Sequence, residues 1–285
     1  MRLCRFDDDR LGLVEHDQVI DVSAALEALP SVRWPLPHGD LLIAHLGQVL
    51  EQASRLKERA ARRPLAAVAL RSPVANPSKI IAAPVNYHRH LEESRADPGI
   101  HFGAEVKAID HYGVFLKSGT SLVGAGEGVA LPPLDRRMDH EVELAAVIGR
   151  EAYRVTRDRA LAHVAGYAVG LDMSIRGTED RSWRKSFDGA TVLGPWLVTA
   201  DEVGDPGDLD LSLAVNGATR QASNTRHLIF DLPRLIEYAS ATYRLYPGDV
   251  ILTGTPEGVG PVSPGDVMSA EVERVGRMTV AVRAG

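Results

Sequence analysis

Three carboxylates with a clear chemical implication, Glu141, Glu143 and Asp172, lie inside the most hydrophobic stretches of the chain. An ionised carboxylate in an apolar environment is strongly disfavoured unless it is paired with a cation or bound to a metal. Three oxygen donors suit a hard cation such as Mg²⁺ or Mn²⁺, with water or substrate completing the coordination shell. We therefore expect these side chains to form a divalent metal site.

The elements that must position the carboxylates are two buried strands. Residues 139–149 are rich in branched side chains and end in glycine, which predicts a strand on which the two glutamates share one face. Residues 164–173 predict a second strand, which carries the aspartate. A lone Glu-x-Glu more often forms salt bridges with arginines on a solvated sheet face. Here Ala145 and Val147 continue the glutamates' face as apolar, which favours a pair at the mouth of a core.

A histidine and a glutamate could supply a general base. If a helix begins near His88, His90 and Glu93 lie three residues apart on one face, so the carboxylate can orient the imidazole. Such a dyad can activate water. The alternative is a solvated helix N-terminus of mixed charge.

Three cations and a glycine-rich loop could bind an anionic substrate. Lys117, Arg176 and Lys185 each lie near the carboxylates or beside apolar residues, and cations there can stabilise developing negative charge. Any one of them taken alone is more often a surface residue. Backbone N–H groups and hydroxyls of residues 253–260 could bind a carboxylate. This segment lacks the ending of a phosphate-binding loop, and a plain turn is its alternative.

Composition excludes several classes of protein. The chain has 285 residues, 45% of them hydrophobic, and a net charge of -6 without a basic patch, so we expect no nucleic-acid partner. No signal-peptide pattern or apolar run of about 20 residues is present, which predicts a cytoplasmic protein with no membrane partner. Cys4 is the single cysteine, which excludes internal disulfides and cysteine metal clusters. We interpret it as a small apolar strand residue.

The pattern of elements predicts an α+β protein that is predominantly β. Residues 1–75 predict a small N-terminal α/β domain, with a helix over 41–62. Residues 76–285 predict a catalytic domain of short strands separated by glycine and proline turns, with a helix over 232–244. The polar stretch 94–113 is typical of a mobile loop over a site.

Taken together and in this order, five separated motifs resemble the fumarylacetoacetate hydrolase family over about residues 79–283. The motifs are Asn86-Tyr87-His88-Arg89-His90, Glu141-Val142-Glu143-Leu144, Gly170-Leu171-Asp172-Met173-Ser174, Lys185-Ser186-Phe187-Asp188 with Leu193-Gly194-Pro195-Trp196, and Thr253-Gly254-Thr255-Pro256. The chain is similar to the shorter bacterial-type members. It departs from them at Leu171 and Gly177, where many relatives have polar residues, and at Glu179, which replaces a common glutamine.

The resemblance implies a mixed β-roll catalytic domain, a homodimer, and Mg²⁺ or Mn²⁺ bound by the three carboxylates. It also implies that His90 and Glu93 activate water and that Lys185 stabilises an enolate or oxyanion. The residues it implies as substrate contacts are Tyr87, Lys117, Arg176, Gly254 and Thr255.

The expected function is a metal-dependent hydrolase that cleaves a C–C bond in a 1,3-dicarbonyl acid, such as an acylpyruvate or a fumarylpyruvate-like compound, through a metal-bound enolate. Two alternatives remain open from the sequence. One is a 2-oxo acid hydratase, decarboxylase or tautomerase that uses the same site, and the other is a metal-dependent binding protein without turnover. Product analysis separates the first two, because hydrolysis yields two acids and hydration yields one larger hydroxy acid.

Overall fold

A computed structural model describes residues 1–285, and its secondary structure is dominated by short strands. The strands are β1 (Arg2–Phe6), β2 (Arg10–Glu15), β3 (Gln18–Asp21), β4 (Arg62–Pro64), β5 (Leu70–Arg71), β6 (Ile80–Ala82), β7 (Phe115–Lys117), β8 (Leu122–Val123), β9 (Val129–Leu131), β10 (Met138–His140), β11 (Val142–Ile148), β12 (Val164–Asp172), β13 (Ser174–Ile175), β14 (Thr191–Thr199), β15 (Asp210–Val215), β16 (Ala218–Asn224), β17 (Val250–Leu252), β18 (Gly260–Pro261), β19 (Val267–Val272) and β20 (Gly276–Ala284). The α-helices are α1 (Leu41–Ala44), α2 (Leu46–Leu56), α3 (His88–Ala96), α4 (Pro98–His101), α5 (Ile109–Tyr112), α6 (Arg181–Arg184), α7 (Ala200–Val203) and α8 (Leu232–Thr242). Six short 3₁₀ helices span Ser23–Ala28, Leu65–Ala67, Gly119–Ser121, Ala125–Glu127, Arg157–His163 and Thr225–His227.

The strands form three sheets. A 12-stranded sheet runs in the order β4-β3-β2-β1-β14-β12-β11-β17-β6-β7, with β5 beside β1 and β8 beside β14. A 3-stranded sheet has the order β13-β10-β18, and a 5-stranded sheet has the order β16-β15-β19-β20-β9. Parallel and antiparallel pairs both occur, so the predicted α+β, predominantly β class with a mixed sheet is confirmed.

Both faces of β11 are buried, and each face contributes to a different hydrophobic core. Its even-numbered residues, including Val142 and Leu144, belong to the larger core. Ala145 and Val147, on the face that carries Glu143, belong to a second core with the N-terminal strands. The apolar continuation of the glutamates' face is therefore confirmed, and it places the carboxylates at the end of a packed interior.

The N-terminal strands extend the main sheet. β1 pairs with β14 in antiparallel register, with Leu3 opposite Leu197, and both residues belong to the second core. Helix α2 adds Val49 and Ala53 to that core. The hydrogen-bonded sheet thus continues across residue 75, and the division into domains there stays a prediction.

Two segments differ from the sequence predictions. The helix predicted over 41–62 is interrupted at His45 and ends at Leu56, because residues 62–64 pair with β3 as an edge strand. The stretch 94–113 contains α4, α5 and the end of α3 rather than a structureless loop, while its mobility stays a prediction.

The helix predicted over 232–244 is confirmed as α8, although it ends at Thr242. Asp231 caps it as its N-cap residue and accepts a hydrogen bond from the Arg234 backbone N–H. Across the whole chain, the helices are too short or too polar to cross a membrane.

Candidate active site

The carboxylates meet because the antiparallel pairing of β11 with β12 continues, in the same register, into the pairing of β10 with β13. The Asp172 N–H donates to the Glu141 carbonyl at 2.9 Å, and one step further along Asp139 lies opposite Ser174. Residues two apart on a strand share a face. The side chains of Asp139, Glu141 and Glu143 on one strand therefore face those of Asp172 and Ser174 on the other.

The three predicted ligands form one buried cluster. One carboxylate oxygen from each of Glu141, Glu143 and Asp172 lies within 4.8 Å of the others. Burial opposes the charged form of Glu141, but Lys185 and Arg176 outweigh it and hold its pKa below the usual range. Burial and the neighbouring Asp172 charge raise the pKa of Glu143 well above its ordinary value. Full ionisation of the cluster thus requires further positive charge, and a hard divalent cation such as Mg²⁺ or Mn²⁺ fits this donor set.

Two buried lysines contact the same carboxylates. The Lys185 Nζ lies 2.6 Å from Glu141 Oε2 and 2.6 Å from Asp172 Oδ2. The Lys117 Nζ donates to Asp172 Oδ1 and, at 2.9 Å, to the Ala190 carbonyl. Burial lowers the pKa of Lys117, since its side chain is wholly enclosed. The structure therefore brings both predicted lysines to the cluster, and Glu141 is salt-bridged in the interior rather than on a solvated face.

A chain of arginines and aspartates extends from the cluster toward α4. The Arg176 Nε donates to Asp139 Oδ2 at 2.7 Å, and its Nη2 donates to Glu141 Oε1 at 2.8 Å. Arg137 donates to both oxygens of Asp139, at 2.7 and 2.9 Å, and to Asp97 Oδ2 at 2.9 Å. The sequence analysis missed Asp139 and Arg137, although the alternation that pairs the two glutamates extends to both positions.

The predicted His–Glu dyad is formed on α3, which begins at His88 as expected. The His90 Nδ1 lies 2.9 Å from Glu93 Oε2, and the second oxygen of Glu93 accepts a hydrogen bond from the Gly258 N–H at 2.8 Å. Because an ionised carboxylate only accepts, Nδ1 carries the hydrogen, and Nε2, which lies 3.5 Å from Ser94 Oγ, is the acceptor nitrogen. The side chain of His90 is 6% exposed and that of Glu93 is 25% exposed, so the dyad lies at the edge of the buried site.

The glycine-rich loop connects the dyad to the carboxylate cluster. The Gly254 N–H donates to Glu143 Oε2 at 2.5 Å, while Gly258 holds Glu93. Gly254 has φ +99°, and a Cβ there would lie 2.7 Å from the Asn86 Cβ. The loop can approach Glu143 this closely because residue 254 has no side chain.

Thr255 is oriented by a residue that the sequence analysis did not identify. The Gln221 Nε2 donates to Thr255 Oγ1 at 2.7 Å, so the threonine hydroxyl keeps its own hydrogen for another acceptor. The Gln221 Oε1 accepts from the Val142 N–H at 3.0 Å, which ties the loop to β11. Gln221 lies on β16, and no local motif marks it, because its partners are distant in sequence.

Tyr87 presents a buried hydroxyl that has no hydrogen-bond partner within the protein. Burial, followed by the charges of Glu143 and Glu257, raises the pKa of this phenol. An orphaned buried hydroxyl is costly, so a ligand oxygen is a natural acceptor for it.

Comparison with known proteins shows to which family the chain belongs. The model of the fumarylacetoacetate (FAA) hydrolase C-terminal domain matches residues 79–283, the part of the chain that forms the site. The chain belongs to the fumarylacetoacetate hydrolase family. The predicted family is therefore confirmed, and the predicted metal ligands, the His90–Glu93 dyad and the lysine segment all fall within the matched range.

Several members of the fumarylacetoacetate hydrolase family are similar to the chain over most or all of its length. A maleylpyruvate hydrolase from Aquipseudomonas alcaligenes is 56% identical over 286 residues, covering 100% of both proteins. The solved structure of a maleylpyruvate hydrolase from Sphingobium sp. SYK-6, in complex with a manganese(II) ion and pyruvate, is 42% identical, covers 100% of both chains and has a TM-score of 0.85. A mitochondrial oxaloacetate tautomerase from Bos taurus is 38% identical and covers 75% of this chain and 69% of its own.

These matches confirm the predicted class, a metal-dependent hydrolase of the fumarylacetoacetate hydrolase family, with a carboxylate cluster that suits Mg²⁺ or Mn²⁺. The individual roles of the site residues stay predictions. Apart from Tyr87, whose hydroxyl has no partner within the protein, the predicted site residues belong to the carboxylate cluster, contact it directly or are linked to it through the 253–260 loop.

Proposed function

We propose that this protein hydrolyses maleylpyruvate to maleate and pyruvate. The observation that carries the proposal is the His90–Glu93 dyad, which the 253–260 loop ties to the buried carboxylate cluster. A water-activating base beside a metal site is what C–C bond hydrolysis requires. The choice of substrate is supported by the two maleylpyruvate hydrolases that match the chain over its full length.

Glu141, Glu143 and Asp172 would hold the divalent cation. When bound, this cation supplies Lewis-acid polarisation of the oxygens of the 2-oxo acid end of the substrate. The Tyr87 and Thr255 hydroxyls donate hydrogen bonds to substrate oxygens, and the buried setting strengthens both bonds by excluding water. Arg176, anchored on Asp139 and Glu141, presents positive charge to the substrate carboxylate.

The proton transfers run through His90. Its Nε2 takes a proton from water, whose oxygen bonds to the carbonyl carbon that joins the maleyl group to the pyruvate methylene carbon. The C–C bond between these two carbons then breaks, and its electron pair passes to the pyruvate fragment as an enolate. The imidazolium returns its proton to the methylene carbon of the enolate, which yields pyruvate. The maleyl fragment leaves as maleate. Glu93 keeps the ring in the required tautomer throughout, and the Lys185 ammonium stabilises the negative charge that develops.

The alternative reactions at this site do not need an attacking water on a carbonyl. Tautomerisation moves a proton within one molecule, and decarboxylation of oxaloacetate releases carbon dioxide. The oxaloacetate tautomerase among the relatives shows that such chemistry occurs in the family. The products distinguish these reactions, because maleate and pyruvate arise together only by hydrolysis of maleylpyruvate.

The test uses metal-stripped protein with maleylpyruvate, fumarylpyruvate, acetylpyruvate and oxaloacetate, each with Mn²⁺, Mg²⁺ or neither, and identifies products by mass spectrometry. We expect metal-dependent formation of equal amounts of maleate and pyruvate. The His90→Ala variant should bind Mn²⁺ normally and lose this activity by at least about 100-fold. A single isomerised or decarboxylated product, or full turnover by the His90→Ala variant, would overturn the proposal.

We also infer that the protein is a homodimer, as the family resemblance implies. The exposed apolar side chains of Trp34 and Leu36 offer surface that a second copy could cover, since Trp34 is 90% exposed. Light scattering on the purified protein should give twice the mass of one chain, and a mass of one chain would contradict the inference. The cytoplasmic location stays a prediction.

A further inference from the structure

Arg184, a cation beside the site, has no anionic partner within the protein. Lys117 and Lys185 form ion pairs with the carboxylate cluster, and Arg176 forms ion pairs with Asp139 and Glu141. Arg184, the residue before Lys185, has no carboxylate oxygen within 4.0 Å, in contrast to these three side chains. A half-buried guanidinium without a counter-ion is unfavourable, so an anionic ligand would stabilise it.

The guanidinium of Arg184 is held in a fixed orientation by backbone carbonyls. Its Nε donates to the Glu179 carbonyl at 2.8 Å, and its Nη1 donates to the Ile175 carbonyl at 3.1 Å. These bonds leave Nη2 without an acceptor within the protein. Burial lowers the pKa of Arg184, and the positive charges of Arg176 and Arg181 lower it further against the opposing charges of Glu141 and Glu179.

A clamp made by Arg136 fixes the segment that carries these carbonyls. Arg136 donates to both carboxylate oxygens of Glu179, at 2.7 and 2.8 Å, and to the Arg176 carbonyl at 2.6 and 3.0 Å. Gly177 leaves room for it, because a Cβ at that position would lie 1.4 Å from the Arg136 Nη2. Gly177 and Glu179, which depart from the family pattern, therefore act together: the glycine makes room for Arg136 and the glutamate binds it. Arg136 in turn holds the backbone to which Arg184 donates.

A dicarboxylate substrate supplies the missing anion. Maleylpyruvate has one carboxylate at its 2-oxo acid end, which would lie beside Arg176 and the cation that Glu141, Glu143 and Asp172 would hold, and a second at the far end of the maleyl group. We propose that Arg184 binds this second carboxylate and makes the site selective for dicarboxylate acylpyruvates. The inference rests on the proposed function and deepens it by naming the residue that recognises the acyl part of the substrate.

The test compares a substrate that has the second carboxylate with one that lacks it. The ratio of kcat/KM for maleylpyruvate to kcat/KM for acetylpyruvate is measured for the wild type, Arg184→Met, Arg184→Lys and Arg181→Met, all with Mn²⁺. Arg181 is a matched control, because it lies on the same helix and stacks on the Tyr112 ring. We expect Arg184→Met to lower the ratio by roughly 10- to 100-fold through loss of a charge-assisted hydrogen bond. Arg184→Lys should restore part of the ratio, and Arg181→Met should leave it near the wild-type value.

A second readout does not depend on turnover of the dicarboxylate. Maleate should inhibit acetylpyruvate cleavage more weakly in Arg184→Met than in the wild type, by a similar factor. Equal losses on both substrates, or a ratio that responds to Arg181→Met instead, would overturn the assignment of Arg184. Failure of the wild type to cleave either acylpyruvate would instead overturn the proposed function, so the two failures are distinguishable.

Discussion

The His90 Nδ1 lies 2.9 Å from Glu93 Oε2, and this contact gives the imidazole the tautomer that a base requires. The other oxygen of Glu93 is held by the Gly258 N–H at 2.8 Å, so the carboxylate cannot rotate freely away from the ring. Gly254, in the same loop, binds Glu143. Glu93, which orients the proposed base, and Glu143, a proposed metal ligand, are thus bound by opposite ends of one short loop.

The first prediction concerns the dyad. Glu93→Gln removes the negative charge that stabilises the protonated imidazole. The glutamine can also turn its NH₂ group, a donor, toward Nδ1 in place of the carboxylate oxygen that accepts from it. We expect kcat to fall by roughly 100-fold or more, with Mn²⁺ affinity unchanged. Steady-state kinetics and a Mn²⁺ titration measure these two quantities. The control is Glu92→Gln, an exposed neighbour on the same helix, which should retain wild-type kinetics. Equal activity of the two variants would show that Glu93 has no role in proton transfer.

The second prediction concerns the cation. Because a ligand that binds only the folded state stabilises it, Mn²⁺ at about 100 times its dissociation constant should add about 2.7 kcal/mol to the free energy of unfolding. Thermal unfolding of metal-stripped protein with and without Mn²⁺ measures the effect. Glu143→Gln should lose most of the stabilisation, whereas Glu93→Gln should keep it. A Mn²⁺ shift that survives in Glu143→Gln would remove Glu143 from the ligand set.

The third prediction concerns Gly254. Gly254→Ala forces an alanine to φ +99° and places its Cβ against Asn86, so strain and overpacking should together cost roughly 2–4 kcal/mol. Gly265→Ala is the matched control, because Gly265 also has φ +99° but a Cβ there would meet no atom within 4 Å. We expect it to cost about 1 kcal/mol. Chemical denaturation measures both values, and equal values would mean that the loop is not packed against Asn86 as described.

The fourth prediction concerns the Arg136 clamp. In Gly177→Ala the new Cβ displaces the Arg136 guanidinium, which is the end of a flexible side chain, so the free energy of unfolding should change by less than about 1 kcal/mol. The preference for maleylpyruvate over acetylpyruvate should nevertheless fall, though less than in Arg184→Met. Arg136→Met should have the same effect, and the double variant should show no further loss, because both changes release one clamp. Additive losses would contradict a shared role.

The fifth prediction concerns Cys4. Burial raises the pKa of its thiol from 9.0 to about 12, and its side chain is wholly inaccessible. Since the thiolate is the reactive form, iodoacetamide at pH 8 should leave the native protein unmodified and should alkylate the unfolded protein once. Mass spectrometry of the intact chain measures this. The same shift implies that any stability contributed by the protonated thiol is present below about pH 9 and is lost as the pH rises toward 12. Rapid alkylation of native protein would show that β1 opens readily.

The local part of the site could be predicted from sequence, because its signals are local. The period of a strand pairs Glu141 with Glu143, and the period of a helix pairs His90 with Glu93. The same period would also have found Asp139, two residues before Glu141, had it been carried one step further. Buried carboxylates alone indicated the metal.

The remaining contacts depend on chain segments that are distant in sequence. Gln221 reaches Thr255 and Val142 only because β16 folds back over the loop, and nothing around it in the sequence indicates that role. Arg136 and Arg184 both bind backbone carbonyls of residues 175–179. A contact with a backbone carbonyl does not require a particular side chain, so no sequence pattern indicates it. In the same way, β4 ends the predicted helix early because it pairs with β3, a tertiary contact that outweighs local helical spacing.

The central claim is that an activated water cleaves the C–C bond of maleylpyruvate. The most direct measurement is to run the Mn²⁺-loaded protein on maleylpyruvate in H₂¹⁸O and to analyse the maleate by mass spectrometry. Hydrolysis predicts that the new carboxylate of maleate carries a solvent oxygen and that pyruvate forms in equal amount. Consumption of the substrate without maleate, or maleate that contains no solvent oxygen, would contradict the account.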